Sequence, residues 1–184
     1  MNERRFSGEI ERLRAPERVA WLEINRVVDL SMAAPVPRSM LDIGTGSALF
    51  AEAFAARGLK VAGVDLREDM LEAARQFVPD GDFRQSHMES LPFPDESFDL
   101  VFMGLVLHEA DHLNNALSEA YRAARQRVMI LEWPYEAAEF GPPLNHRLQP
   151  QQILDAAHAV GFKGMEQIVL KHLTLFHLEK VRIL

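Results

Sequence analysis

The architecture of this chain can be read from Leu41-Asp42-Ile43-Gly44-Thr45-Gly46-Ser47-Ala48-Leu49. An apolar run carrying an acid leads into two glycines one residue apart, and a helical stretch from Phe50 to Ala56 follows at once, closed by Gly58. This is the pattern of a strand, a tight turn and a helix. A turn whose backbone passes close to a ligand cannot carry a Cβ, and the first amides of the following helix are unpaired donors with a partial positive charge behind them. Gly-x-Gly also occurs in many structural turns, so the weight rests on three additions. Asp42 stands two residues before Gly44, Leu59 to Val64 forms a second strand-like run, and Asp65 ends that run. Asp65 lies roughly 20 residues on, where a dinucleotide fold places the carboxylate that accepts both ribose hydroxyls. Leu49 occupies the position of the third glycine of the dinucleotide fingerprint, which favours a smaller adenosine ligand over NAD.

Outward from this centre, strand and helix alternate. The expected order is strand 40–43, helix 49–57, strand 59–64, helix 68–77, a short strand near Phe83, strand 98–103, helix 113–124, strand 127–132 and helix 151–160. Such alternation gives a parallel sheet with helices on both faces. Pro79-Asp80-Gly81 and Pro92-Phe93-Pro94-Asp95 are turns, and Gly161 closes the last helix. Met165 to Leu170 and Leu173 to Ile183 are too close together for a crossover helix and are expected to pair antiparallel at the sheet edge. Before the first strand, Phe6 to Met32 reads as a helical arm, ended by Pro35 and Pro37. The expectation is a single domain in which residues 1–34 form the arm or lid and 35–184 the core.

The 184 residues suffice to bury roughly 70% of the unfolded surface in one domain. The chain contains no cysteine, which removes thiolate metal sites and cysteine nucleophiles and fits a reducing compartment. Met1 to Arg5 is polar, and the longest apolar stretch, Leu100 to Leu107, is too short to span a bilayer. A cytoplasmic protein without membrane partners is expected. The net charge of -7 is dispersed along the chain, which argues against a nucleic-acid partner.

Leu41-Asp42-Ile43-Gly44-Thr45-Gly46 with Gly63-Val64-Asp65, Glu89-Ser90-Leu91-Pro92-Phe93 and Ser97-Phe98-Asp99-Leu100-Val101 resembles the class I S-adenosylmethionine-dependent methyltransferases. The likeness is to the small-molecule group that includes the ubiquinone and menaquinone C-methyltransferases, over residues 39 to 132. It implies a Rossmann-like α/β sandwich with a seven-stranded sheet of order 3-2-1-4-5-7-6, strand 7 alone antiparallel. It also implies S-adenosylmethionine as cofactor, with Gly44, Thr45 and Gly46 facing the methionine part, Asp42 orienting the amino group, and Asp65 with Leu66 at the ribose. His87, Met88 and Glu89 are then expected at the adenine, and Gly104 in the cofactor crevice. Two departures stand out: His87 replaces the family's adenine-binding aspartate, and Ala124-Arg125-Gln126-Arg127 replaces its Pro-Gly-Gly turn before strand 5.

His108-Glu109-Ala110-Asp111-His112 matches H-E-x-x-H, which on a helix places two imidazoles on one face to bind zinc. Here an apolar strand runs into His108, so the same residues are expected at a strand end lining the acceptor crevice, with His108 or His112 as the base for an acceptor that must lose a proton. A polar turn capping the next helix through Asp111 is the structural alternative. Glu132-Trp133-Pro134-Tyr135, then Gly141-Pro142-Pro143 with His146 and Arg147, are expected either to border the crevice or to form an ordinary loop. His172 and His177 are expected far from it. The sequence thus points to a methyltransferase acting on a small molecule, with a zinc hydrolase or a non-catalytic S-adenosylmethionine-binding protein as alternatives.

Overall fold

The computed structural model describes residues 9–138 and 140–180. Seven strands form one sheet of order β3-β2-β1-β4-β5-β7-β6: β1 Ser39–Ile43, β2 Lys60–Asp65, β3 Asp82–Gln85, β4 Phe98–Gly104, β5 Ala124–Glu132, β6 Gly164–Val169 and β7 Thr174–Glu179. Only β7 runs antiparallel to its neighbours. Fold and strand order are those implied by the resemblance.

The central strands carry unbroken apolar runs, such as Leu100 to Met103 and Val128 to Leu131, because both of their faces are covered. Side chains alternate across a strand, so Leu41, Ile43, Val101, Met103, Val128 and Ile130 join one core with α6 (Leu113–Ala123) and α7 (Pro150–Val160). Met40, Leu100, Phe102, Met129 and Leu131 join the other with α3 (Ile24–Ser31), α4 (Leu49–Ala55) and α5 (Glu68–Phe77). On that face the ring of Phe102 lies 4.8 Å from Phe50 and 5.5 Å from Phe54.

Three expectations need correction. The arm is not one helix: among the described residues it breaks into α1 (Ile10–Leu13), α2 (Pro16–Trp21) and α3, with Glu23 in a left-handed conformation. The stretch from Phe6 to Gly8 lies outside the described residues. The N-cap of α6 is His112 rather than Asp111. Finally, β5 starts at Ala124, directly after α6, and not at residue 127 as expected: the segment Ala124 to Arg127 that replaces the family's Pro-Gly-Gly turn is already strand, and the chain passes from helix to strand without a loop. Arg127, only 1% exposed, then donates to the carbonyls of Ala33 and Pro35 and ties the end of the arm to the sheet.

Because Phe102 fills the space between α4 and the sheet, Phe102→Ala should cost about 3–5 kcal/mol of folding stability. Urea denaturation with an unchanged m-value checks it, and a loss below about 1 kcal/mol would mean that the core closes around the cavity.

Candidate cofactor and acceptor site

The five parallel strands β1 to β5 end on one edge, and register places Gln85, Asp65, Gly44, Gly104 and Glu132 along it. This is the crevice in which open α/β sheets bind ligands. The turn after β1 is bonded to the end of β2: the amides of Gly44 and Thr45 both donate to the carbonyl of Val64, at 2.8 and 2.9 Å. Asp65 then accepts from the amides of Gly46 and Arg67, each at 2.9 Å, through its two carboxylate oxygens. Asp42 is buried beneath the turn and accepts from the Thr45 hydroxyl at 2.8 Å. Burial raises the Asp42 pKa to about 7, opposed by the Thr45 bond and reinforced by the charge of Asp65. Burial also pushes Asp65 upward, against its bonds to the Arg67 and Gly46 amides. Two carboxyl groups beside a glycine turn, Asp42 buried and Asp65 half-buried, suit a cationic, hydroxyl-bearing ligand. Their desolvation cost is recovered when such a ligand supplies charge and donors.

Protein packing also requires a bare backbone at the two glycines. Gly44 has φ +69°, and a Cβ there would stand 2.3 Å from Val106 Cγ2, so its missing side chain first admits the loop after β4. At Gly46, φ +51°, the nearest atom to a Cβ would be Leu13 Cδ1 at 3.2 Å. The arm therefore lies against the turn. Arg14 holds it there, donating to the Ser47 carbonyl at 2.7 Å, pairing with Glu52 and stacking over Phe77 at 3.4 Å.

The loop after β3 borders Asp65. Ser86 N donates to the Asp65 carbonyl at 3.0 Å and Gln85 Nε2 to the Leu66 carbonyl at 2.8 Å, so Leu66 and residues 86–89 flank Asp65. His87 is exposed and Met88 packs against the core. Glu89 accepts from the backbone amide of His112 at 2.8 Å, which joins the loop after β3 to the loop after β4.

In the loop after β4 the H-E-x-x-H segment is not a helix. His108 lies in a 3-10 turn, Leu107–Glu109, then Ala110 (ψ 138°) and His112 (ψ 103°) are extended, so the two imidazoles share no helical face. The zinc reading loses the geometry on which it stood, and among the described residues no group of three or more ligating side chains converges. His108 is instead buried against Glu132, its Nδ1 3.0 Å from each carboxylate oxygen. The sequence places Glu132 at the end of strand 127–132, either bordering the crevice or opening an ordinary loop, with no sign of its pairing with His108. The signal that could have singled it out is an acid at the end of the buried run Val128-Met129-Ile130-Leu131, the same pattern that marks Asp65.

The expectation for His172 also fails. β6 is parallel to β1 through β5, so the β6–β7 turn must lie on the crevice edge, and Thr174 pairs with Glu132. The His172 ring stacks on Trp21 at 5.1 Å and 14°, and Trp21 meets Trp133 at 5.1 Å. His177 lies in mid-strand opposite Met129, away from the strand ends as expected. Arg147 organises the loop after β5, donating to the carbonyls of Pro134, Glu136, Phe140 and Pro142. His146 lies beside it in a 3-10 turn, Leu144–His146.

The methyltransferase domain family matches residues 41–131. The malonyl-[acyl-carrier protein] O-methyltransferase of Serratia marcescens is 34% identical over 103 residues, 55% of this chain and 40% of that protein. The demethylmenaquinone methyltransferase of Renibacterium salmoninarum is 32% identical over 116 residues, 63% and 48% respectively. The chain thus spans about half the length, or less, of these relatives. Among solved structures, a SAM-dependent methyltransferase from Aquifex aeolicus superposes with a TM-score of 0.82 over 94% of this chain and 97% of that one. At 21% identity that likeness carries the fold alone. The sheet order, the paired acids around the glycine turn and the family match lead to one conclusion: this chain belongs to the class I S-adenosylmethionine-dependent methyltransferases.

Proposed function

We propose that the chain is an enzyme that transfers a methyl group from S-adenosylmethionine to a small-molecule acceptor. The observation that carries this reading is the convergence of Asp42, Asp65 and the Gly44–Gly46 turn at the carboxyl ends of β1 and β2. Asp65 takes the ribose hydroxyls, exchanging its bond from Gly46 N for theirs, and Leu66 borders the sugar. Asp42 takes the amino group, with Gly44, Thr45 and Gly46 along the methionine part and Gly104 opposite. His87, Met88 and Glu89 serve the adenine, His87 through its ring in place of a carboxylate. The cofactor supplies an activated sulfonium methyl, so the chain's own contribution is alignment and exclusion of water, worth about 7–11 kcal/mol of barrier for two well-placed reactants.

The acceptor lies on the side of His108 and His112, bordered by the loop that Arg147 organises. Residues 1–34 act as the lid over the 35–184 core, with Leu13 and Arg14 as its described contacts to the turn. A small acceptor, rather than nucleic acid, fits the dispersed charge of -7, and the relatives named for malonyl-acyl-carrier protein and demethylmenaquinone support this class. Among the described residues no helix is long and apolar enough to cross a membrane, in keeping with a cytoplasmic enzyme.

Asp65→Ala removes a charged acceptor of two hydroxyl bonds, a loss of about 1.5–3 kcal/mol, or roughly 10- to 150-fold in affinity. Calorimetric titration with S-adenosylmethionine reads it, and unchanged affinity would remove Asp65 from the site.

Asp42 gives a test with a pH signature. Its pKa in the native state is about 7 and in the unfolded chain about 4. Between those values the native protein holds a proton that the unfolded chain has released, so Asp42 lowers stability as pH rises through this window and by a constant amount above it. Asp42→Asn keeps an acceptor for Thr45 and carries no charge. The variant should melt above the parent at pH 8, show a smaller advantage at pH 5, and bind S-adenosylmethionine more weakly. An equal melting difference at both pH values would contradict the assignment.

A further inference from the structure

We propose that a cavity at the amino-terminal edge of the sheet, opposite the cofactor crevice, is a second ligand site that takes a small phosphate monoester. The site goes beyond the methyltransferase reading and does not depend on it.

The cavity, of about 450 Å³, lies where β1, β4 and β5 begin and antiparallel β7 ends, and four of its lining side chains are cations: Arg38, Arg125, Arg127 and Lys180. Arg125 and Arg127 belong to the segment Ala124-Arg125-Gln126-Arg127, which replaces a Pro-Gly-Gly turn and has no role in the crevice. Between Arg127 and Glu132 at the crevice edge runs a length of β5 of roughly 16 Å.

Two of the four cations are matched by acids. Arg125 donates to the Asp99 carboxylate and to the Glu96 carbonyl, while Lys180 donates to the Glu96 carboxylate and to the carbonyls of Tyr121 and Ala124. The other two have no carboxylate partner. Arg127 is 1% exposed, yet its guanidinium donates to the neutral carbonyls of Ala33 and Pro35. The guanidinium of Arg38 makes no hydrogen bond or ion pair among the described residues; only its backbone amide meets Asp99. Glu179 faces Arg127 across the β5–β7 ladder, but its carboxylate is 3.5 Å from His177 and in no ion pair with Arg127. Burial lowers the Arg127 pKa, opposed by the charge of Glu179. A buried guanidinium without a bonded carboxylate is costly, and an anion beside it relieves that cost.

The chemistry of the lining selects the anion. Asp99 is bonded to Arg125 and to the Arg38 amide, so Glu179 is the lining acid left to oppose a negative ligand, and two guanidinium groups outweigh it. Arginine forks match phosphate oxygens two at a time, and a phosphate monoester brings about −1.5 to −2 charges at neutral pH. Gln126 lines the same wall, and its Oε1 is buried without a hydrogen-bond partner among the described residues. A hydroxyl on the ester's carbon chain is the kind of donor this oxygen lacks, which favours a hydroxylated ester over bare phosphate.

The test uses the full chain as wild type, Arg38→Gln and Arg84→Gln, the last removing the same charge from β3 at the other edge of the sheet. Calorimetric titrations at constant ionic strength employ glycerol 3-phosphate, inorganic phosphate and succinate, each repeated with excess S-adenosylmethionine. One glycerol 3-phosphate per chain should bind, more tightly than inorganic phosphate or succinate. Arg38→Gln should weaken it about tenfold or more with the ligand-free melting temperature unchanged, whereas Arg84→Gln should alter it less than about twofold. S-adenosylmethionine should leave the affinity in place. Absence of saturable binding would overturn the site, as would equal weakening in both variants, which marks a general charge effect. Displacement by S-adenosylmethionine would overturn it by putting the anion in the crevice. Succinate binding as tightly as the ester, or inorganic phosphate binding where the ester does not, would overturn the phosphate monoester as its ligand.

Discussion

The attachment of the turn after β1 to the end of β2 governs the geometry of this protein. Two amides of the turn share the Val64 carbonyl, and a third, from Gly46, reaches Asp65. These bonds cost the turn its freedom and set both acids at the mouth of the sheet. Buried carboxyl groups are unfavourable without partners. Each therefore has a donor: the Thr45 hydroxyl for Asp42, and the Gly46 and Arg67 amides for Asp65. The same donors that make the site affordable hold its shape.

From that fixed point the neighbouring loops are placed by contact rather than by regular structure. Val106 packs where a side chain on Gly44 would stand, so the loop after β4 can approach only because position 44 is glycine. Glu89 then links the loop after β3 to His112, and Glu132 links the end of β5 to His108. The loops after β3, β4 and β5 are thereby joined through carboxylate-to-amide bonds. The arm is added over the turn by Leu13 and Arg14 and anchored at its far end by the buried guanidinium of Arg127.

The acids at the strand ends divide the work. Asp42 and Asp65 carry pKa values raised by burial and stand where a cationic, hydroxylated ligand would compensate them. Glu132 is compensated within the protein, by two amides and an imidazole. A carboxylate already paired internally is unsuited to hold a ligand directly.

Much of this was decided by sequence alone, where the determinants are local or periodic. Apolar runs without alternation mark strands covered on both faces, alternation with helical segments makes them parallel, and Gly44, Gly46, Asp42 and Asp65 lie within 24 positions of one another, so the cofactor end was legible. The three-dimensional fold decided what depends on pairs far apart in the chain. His108 and Glu132 are 24 residues apart and meet only because β4 and β5 are neighbours in register. His172 reaches Trp21 across 151 positions because a parallel β6 must end on the crevice edge, a consequence of strand direction that spacing does not reveal. The H-E-x-x-H spacing misled for the same reason: the chemistry of a motif depends on the backbone that carries it, and here a 3-10 turn and extended residues replace the helix that zinc binding would need.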